Sequence, residues 1–560
     1  MTEQALAGVG EGTPLGTRFQ SNLGVLLLER FMLYGRTQDI ERASEALQRA
    51  VAATPSQHPN RTERIGALAD AHRLQFERRW GIPRLTGHLD ALRFSEASHD
   101  ILSKILSPHA RRELKKVVQT AEKAAKVTPA GHHLYARTRM RLAQAQALES
   151  VLLRDPRTMR RAHAVWAQVA GDATAAAPLR VRAARYLALA QLRDMMAGSR
   201  AADTSIGEFF DLAMELLPRA VPQALPHIDR ERHLAMCAGV AHDAAAWVLR
   251  RDHPEPEQAL GFLEQGRGVL HAQVLNKRTD LTELRARRPE LARRFEKLAR
   301  LLDRPEGAGF TSGWSLETGA ASELLTGQDR HALASQWDQL VEEIRSVPGL
   351  EHFLQPFQVT ELLSAGADEG PIIVINVSGL GCDALIIKDG GVRAVALPML
   401  HAAELVKRAD AFVADVRDAG NSKLPLAEQV TAQGRIVETL GWLWTAVTEP
   451  ILDELGLLAG AAPHSESLPR LWWVPTGHLA YFPLHAAGLA GVPDAQVLDR
   501  VVSSYAPTVR ELIHARSRPI PQRTPTALII GMRRTPDAGE LPRVPEEVQA
   551  ITAHFPAARV

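Results

Sequence analysis

The chain has 560 residues, 45% hydrophobic and 23% charged, which suits a globular protein with material for more than one core. Its 66 basic and 64 acidic side chains leave a formal net charge of +2, so there is no electrostatic footprint for nucleic acid. No apolar run reaches membrane-span length, and the opening MTEQALAGVGEGTPLG lacks a secretory pattern. The two cysteines, Cys237 and Cys382, lie too far apart in context to suggest a disulfide framework, and a cytoplasmic setting is expected.

The first half reads as helices, with apolar residues at helical spacing. In SNLGVLLLERFMLYGRTQDIERASEALQRAVAATP, Leu23, Leu26, Leu27 and Phe31 face inward from a first helix. Ile40, Ala43, Leu47, Ala50 and Val51 do so from a second, with Asp39 as its cap and Pro55 as its stop. Gly24 and the small residues Ala43 and Ala46 allow the two to approach closely. A second pair follows, with Gly66 and Phe76, and looser pairs lie near Leu134–Ala170, Leu179–Leu217 and Arg230–Asn276. A helical hairpin repeated in this way must stack on its neighbours to bury its apolar face. The Leu23-Gly24 pair, the small residue in the second helix and the closing proline resemble tetratricopeptide repeats. A generic helical bundle is the alternative.

Two charge-rich helical stretches come next, TDLTELRARRPELARRFEKLARLLDR and DRHALASQWDQLVEEIRSVPG. Their interleaved signs predict solvated faces with ion pairs along each helix. The Gly-, Ser- and Thr-rich piece between them predicts a flexible loop. Near Pro371 the pattern changes to three β-branched runs, Ile372–Val377, Asp383–Ile387 and Val392–Leu397, with a tight turn at Asp389-Gly390. Helices are expected at His401–Val416 and Ala427–Leu455, the second kinked or divided at Pro450. Strand Leu471–Val474, an extended piece at Val501–Tyr505 and strand Ala527–Ile530 complete an α/β pattern with an at least partly parallel sheet.

Several chemical motifs fail on context. GLGCDA (Gly379–Ala384) has the spacing of a dinucleotide loop but runs into a strand and a turn instead of a helix. No phosphate loop, nucleophile elbow or H-E-x-x-H is present. His132-His133 points to two different faces and makes a poor metal pair. Cys237 lies in a small-residue helix, with His242 off its face, and reads as a buried thiol. Cys382 has no histidine near it in sequence. No metal site and no cofactor is expected.

The segment LWWVPTGHLAYFPLHAAG (Leu471–Gly488) closely resembles the signature of the CHAT domain, a caspase-like module that bacteria often append to tetratricopeptide repeats. Pro475, Gly477, Leu479, Phe482, Pro483, Leu484, His485 and Ala486 carry the match, and His478 and His485 are expected to be structural. Ala259–Asn276, Ile344–Pro356, Gly370–Ile387, Ser503–Leu512 and Ala527–Ile551 resemble further parts of such proteins.

The resemblance implies a multidomain chain: an all-α, TPR-like helical-repeat solenoid, then an α/β caspase-like domain that is incomplete at its C-terminus. Residues 1–276 would be the repeats, 277–350 a helical linker, 351–524 the accessory part of the CHAT domain, and 525–560 the first strand and helix of the catalytic part. The family cleaves peptide bonds with a histidine–cysteine pair. Its His-Gly and Ser-Ala-Cys motifs follow the segment matching EEVQAI, and neither occurs here. The chain alone is therefore expected to carry no catalytic residue and to be inactive, with the pair downstream. In caspase-like folds the loop after the first strand helps shape the substrate pocket. In GMRRTPDAGELP, Arg533 and Arg534 would favour an acidic side chain, and Asp537 or Glu540 a basic one; a solvated loop is the other reading. The expected partners are a protein or peptide on the repeats and a protein substrate for the complete enzyme, with no direct nucleic-acid or membrane binding. The competing reading is a non-catalytic repeat scaffold with a degenerate CHAT domain. A weaker one makes Cys382 a nucleophile with a distant histidine.

Overall fold

The computed structural model describes residues 13–80, 107–132, 134–196, 206–220, 237–267, 284–285, 287–302, 327–348, 350, 353, 359–364, 369–458, 468–517, 527–535, 539–555 and 558–560. They fall into two compact units, Met1–Arg510 and Glu511–Val560. His133, Asp537 and the expected flexible loop within 303–326 lie outside the described residues.

The first unit begins with helical hairpins. Helices α1 (Pro14–Tyr34), α2 (Thr37–Ala52), α3 (Arg61–Arg79) and α4 (Pro108–Val127) come first. Then follow α5 (Tyr135–Leu153), α6 (Pro156–Gly171), α7 (Ala177–Met196), α8 (Ile206–Leu216) and α9 (Val240–Val248). Each packs on the next in sequence, and α1, α3, α5, α7 and α9 also touch one another in that order, so the odd-numbered helices form one layer. Proline in the first turn starts α1, α4 and α6, and the side chains of Thr13, Ser107 and Asp155 receive their first free N–H groups. Gly24 sets the α1–α2 approach: a Cβ there would lie 2.5 Å from Leu47 Cγ. Leu27, Phe31, Ile40, Ala43 and Leu47 fill the core of this hairpin.

Two expectations for the hairpin fail. Leu26 is 49% exposed, because its neighbour Leu27 already occupies the inward position one residue on. Asp39 does not cap α2. The cap position is Arg36, and Asp39 instead receives two hydrogen bonds from Arg30 of α1, one of 2.8 Å from Nε.

After α9, residues 256–267 are helical. Helices α10 (Pro289–Leu302) and α11 (Gly327–Arg345) pack together. Their ion pairs, such as Arg294–Glu343, lie on the outside. Their inner faces form a small core of Leu291, Phe295, Trp337, Leu340 and Ile344, closed by Phe353. A short α12 (Val359–Ser364) precedes the sheet.

The sheet has the order β3-β2-β1-β4-β5. Strands β1 (Ile372–Ser378), β2 (Gly381–Lys388) and β3 (Gly391–Ala396) form an antiparallel meander. Asp389 and Gly390 both have positive φ, 51° and 76°, the backbone of a two-residue hairpin turn. Helices α13 (Ala402–Ala419) and α14 (Leu426–Leu443) cross over to β4 (Arg470–Val474), which joins β1 in parallel, and β5 (Val502–Tyr505) joins β4 in parallel. β1 is central, and Ile372–Ile375 are fully buried on both faces, which is why it reads as an unbroken apolar run. Pro450 divides the helix that follows α13. It lacks an N–H and would press on the preceding turn, and the backbone widens to a π turn at Trp444–Thr448 before α15 (Glu449–Glu454).

Candidate functional site

The signature segment begins where β4 ends. Trp473 is fully buried, and its Nε1–H donates to Ser503 Oγ at 3.0 Å. Pro475 is buried, and its carbonyl accepts a 2.5 Å hydrogen bond from Arg267. Thr476 Oγ1 donates to the Ile375 carbonyl at 2.6 Å, tying the turn to β1. Gly477 turns the chain at φ 53°. The 3₁₀ turn Gly477–Tyr481 then drops Leu479 into the core beside Phe482 and Leu484. The Phe482 ring meets those of Phe412 and Trp442. Pro483 is half-buried, and His478 and His485 are exposed. The Tyr505 hydroxyl accepts from the His485 backbone N–H and lies 3.0 Å from its Nδ1. The segment is an apolar plug with pinned ends, and its inward residues share one core with Cys382.

A second set of polar groups joins the helical layer to the sheet. Asp243 on α9 is 3% exposed. It accepts from Arg185 Nε of α7 at 2.7 Å and from Ser378 Oγ of β1 at 2.7 Å. Arg185 also donates to the Ala238 carbonyl. His242 Nδ1 lies 2.9 Å from Asn376 Oδ1, and Asn376 Nδ2 donates to the His242 carbonyl at 3.0 Å. This two-point grip places the imidazole proton on Nδ1. Burial holds His242 below its ordinary pKa, with only partial opposition from Asn376. Arg250 donates to Asp383 of β2 at 2.9 and 3.3 Å. Its guanidinium lies where a side chain at Gly381 would stand: a Cβ there would be 1.8 Å from it. Glu264, in helical residues 256–267, accepts from the N–H groups of Val509 and Arg510 at the start of α16 (Val509–Ser517). Sequence reasoning missed this joint. Its trace is there, in Asn376 and Ser378 breaking the apolar run of β1 at every second position.

The two cysteines sit apart. Cys237 is buried, and burial pushes its thiol up to about 12. Cys382 is 3% exposed and belongs to the core with Ile373, Ile375, Ala384 and Leu405. His242 faces β1 through Asn376, and side chains alternate along a strand. Cys382 therefore packs with Ile375 on one face of the sheet, while His242 is on the other. Neither cysteine forms a disulfide, and the Cys382 thiol donates to the Ser378 carbonyl at 3.8 Å.

In the second unit, Leu528 and Arg559 form a parallel bridge. Ile529 N–H donates to the Arg559 carbonyl, and Arg559 N–H to that of Ala527. The connection between them contains α17 (Val544–His554). The strand expected at Ala527–Ile530 is thus a single bridge, because only Leu528 finds a partner among the described residues. Gly531 lets α17 come close: a Cβ there would lie 2.7 Å from Val548 Cγ2. In the loop after Ile530, Arg533 and Arg534 both reach Glu540 Oε1, at 2.9 and 3.4 Å, and all three are exposed. The acidic and basic groups of this loop thus partly neutralise each other.

Among the described residues, no group of three His, Cys, Asp or Glu side chains could hold a metal ion, and no helix is long and apolar enough to cross a membrane. No curated protein shows significant similarity to the chain. Residues 437–560, from the end of α14 through β4, the signature segment, β5 and α17, match the CHAT domain.

Proposed function

We propose that residues 1–560 are the partner-binding and supporting portion of a caspase-like cysteine endopeptidase. The CHAT match over 437–560 carries the reading, because that family cleaves peptide bonds with a thiolate and an imidazole. Both cysteines are buried, Cys237 with its thiol pushed up to about 12 and Cys382 in the core on the sheet face opposite His242, so this reading takes the catalytic pair from polypeptide other than these residues. In this reading the helical hairpins are degenerate tetratricopeptide-type repeats that take up a protein or peptide trigger. The sheet with its plug is the accessory part of the domain, spanning 351–524. Residues 525–560 begin the catalytic sheet, with Arg533, Arg534 and Asp537 on the substrate-pocket loop. The joint at Asp243, Asn376 and Asp383 ties the helical layer to the sheet, which is what gating by a partner requires. Two thiols outside any disulfide fit a bacterial cytoplasm.

The test is endopeptidase activity on a peptide library. Residues 1–560 alone should be inactive. The product of the longest open reading frame containing them should cleave, and should lose activity when its His-Gly or Ser-Ala-Cys motif is mutated. A frame without those motifs, or without thiol-dependent cleavage, overturns the proposal. The second reading, a non-catalytic scaffold with a degenerate CHAT domain, is favoured by the structural roles of the signature residues, and that outcome would establish it.

A further inference from the structure

The layer of odd-numbered helices carries a cluster of guanidinium groups with too few carboxylates to receive them. Three are matched. Arg141 of α5 donates from Nε and Nη2 to Asp70 of α3, at 2.8 and 2.6 Å. Arg73 donates to Glu77 at 2.6 Å, and Arg185 to Asp243. Arg137 and Arg182 are not matched: among the described residues, neither has an ion pair with a carboxylate. Arg137 stands one turn before Arg141 on the same face of α5. Arg182 stands one turn before Tyr186 on α7 and donates to its hydroxyl at 3.3 Å. Gln144 of α5 reaches the same hydroxyl at 3.4 Å.

The sequence builds room for this crowding. Gly66 on α3 lies against Arg141, and a Cβ there would stand 2.2 Å from its Nη1. The groups also feel one another. Burial and then the charge of Arg141, with that of Arg182, hold Arg137 below its ordinary pKa against partial opposition from the Asp70 and Glu63 carboxylates. Burial alone would raise the Tyr186 phenol, but Arg182, Arg185 and Arg73 outweigh it and pull it down. Like charges held this close are stabilised by an anion that bridges them.

We propose that this face of α3, α5 and α7 binds an extended acidic peptide, with Arg137 and Arg182 receiving its carboxylates. The proposal deepens the partner-binding reading above and rests on it. A guanidinium takes a carboxylate through two parallel N–H donors, and Gln144 and the Tyr186 hydroxyl offer polar contacts beside Arg182. A peptide places its carboxylates one at a time and can pass the resident Asp70 and Glu63. A continuous phosphate backbone would run into them, and the net charge of +2 offers no wider basic surface for it.

The experiment is fluorescence anisotropy with the full chain at low and moderate salt. The probes are a short fluorescein-labelled Glu-Gly-Ser repeat peptide, its Gln-Gly-Ser counterpart and a labelled oligothymidylate. The Glu peptide should bind and the Gln peptide should not. Arg137→Gln and Arg182→Gln should each weaken binding roughly tenfold, as loss of one charged hydrogen-bonding group does. Arg417→Gln, on exposed α13, should leave it unchanged. Melting temperatures of the two variants should match or exceed that of the parent, since each removes an unmatched cation. The proposal is overturned if the Glu peptide fails to bind, if the double variant binds it as the parent does, or if oligothymidylate binds more tightly through the same arginines. Each of these results leaves the peptidase comparison standing, and an inactive reading frame leaves this binding measurement standing.

Discussion

Asp243→Asn tests the joint between the helical layer and the sheet. The two side chains have nearly the same shape, so packing is preserved and only charge and one acceptor are lost. Arg185 and Asp243 are 6% and 4% exposed at the side chain. The substitution therefore takes the carboxylate from a buried guanidinium, which keeps its hydrogen bond to the Ala238 carbonyl. Removing one partner of a buried pair costs about 3–5 kcal/mol. Ser378 also loses its carboxylate acceptor, so its hydroxyl must find a weaker partner. Urea unfolding followed by far-UV circular dichroism and tryptophan fluorescence reads the change. Removing both charges, in Arg185→Leu with Asp243→Leu, should cost less than Asp243→Asn alone, because no bare charge remains. The reasoning is refuted if Asp243→Asn lowers stability by less than about 1 kcal/mol, the level of a solvated surface pair, or if the double variant is the worse of the two.

Acid stability should depend on His72. It is 6% exposed, and burial, with help from Lys116, lowers its pKa to about 4. Its hydrogen-bond partners are neutral: Gln48 at 3.2 Å and Thr120 at 3.0 Å. Between about pH 6.5 and 4 the unfolded chain takes up a proton here and the native chain does not, so stability falls as pH falls, by a total of about 3 kcal/mol. Denaturation midpoints from pH 7 to 4 should drop less steeply in His72→Gln than in the parent, and parallel curves would refute the point. Gly381→Ala should cost about 1–3 kcal/mol, since φ there is 147° and the Arg250 guanidinium must leave its place beside Asp383. A thermal melt unchanged by Gly381→Ala would contradict that placement.

Local pattern carried much of the fold. Runs of β-branched residues and the Asp389-Gly390 turn marked the β1–β2–β3 meander, and Pro450 marked the break before α15. The plug was also legible: Leu479, Phe482 and Leu484 are apolar, follow a Pro-Thr-Gly turn and pack inward. What stayed hidden depends on partners distant in sequence. Asn376 and Ser378 meet His242 and Asp243, residues over a hundred positions earlier, and no local window connects them. Asp39 has the chemistry of a cap, yet an arginine on the preceding helix outcompetes the backbone for it. Leu26 fits the inward stripe by spacing alone, but adjacent apolar residues on a helix leave the choice of face to packing. Arg533 and Arg534 read as a charge pattern awaiting a substrate, whereas their common contact with Glu540 emerges only when the loop is folded.

The account rests most heavily on both cysteines being structural, since that assigns the catalytic thiol elsewhere. Alkylation of the native chain by iodoacetamide across pH 6–9, with sites identified by mass spectrometry, measures this directly. Cys237 and Cys382 should both react far more slowly than free cysteine at every pH, and at the free-cysteine rate after denaturation. A cysteine that reacts faster than free cysteine, with an inflection below pH 7, would be an activated thiolate within these residues and would contradict the account.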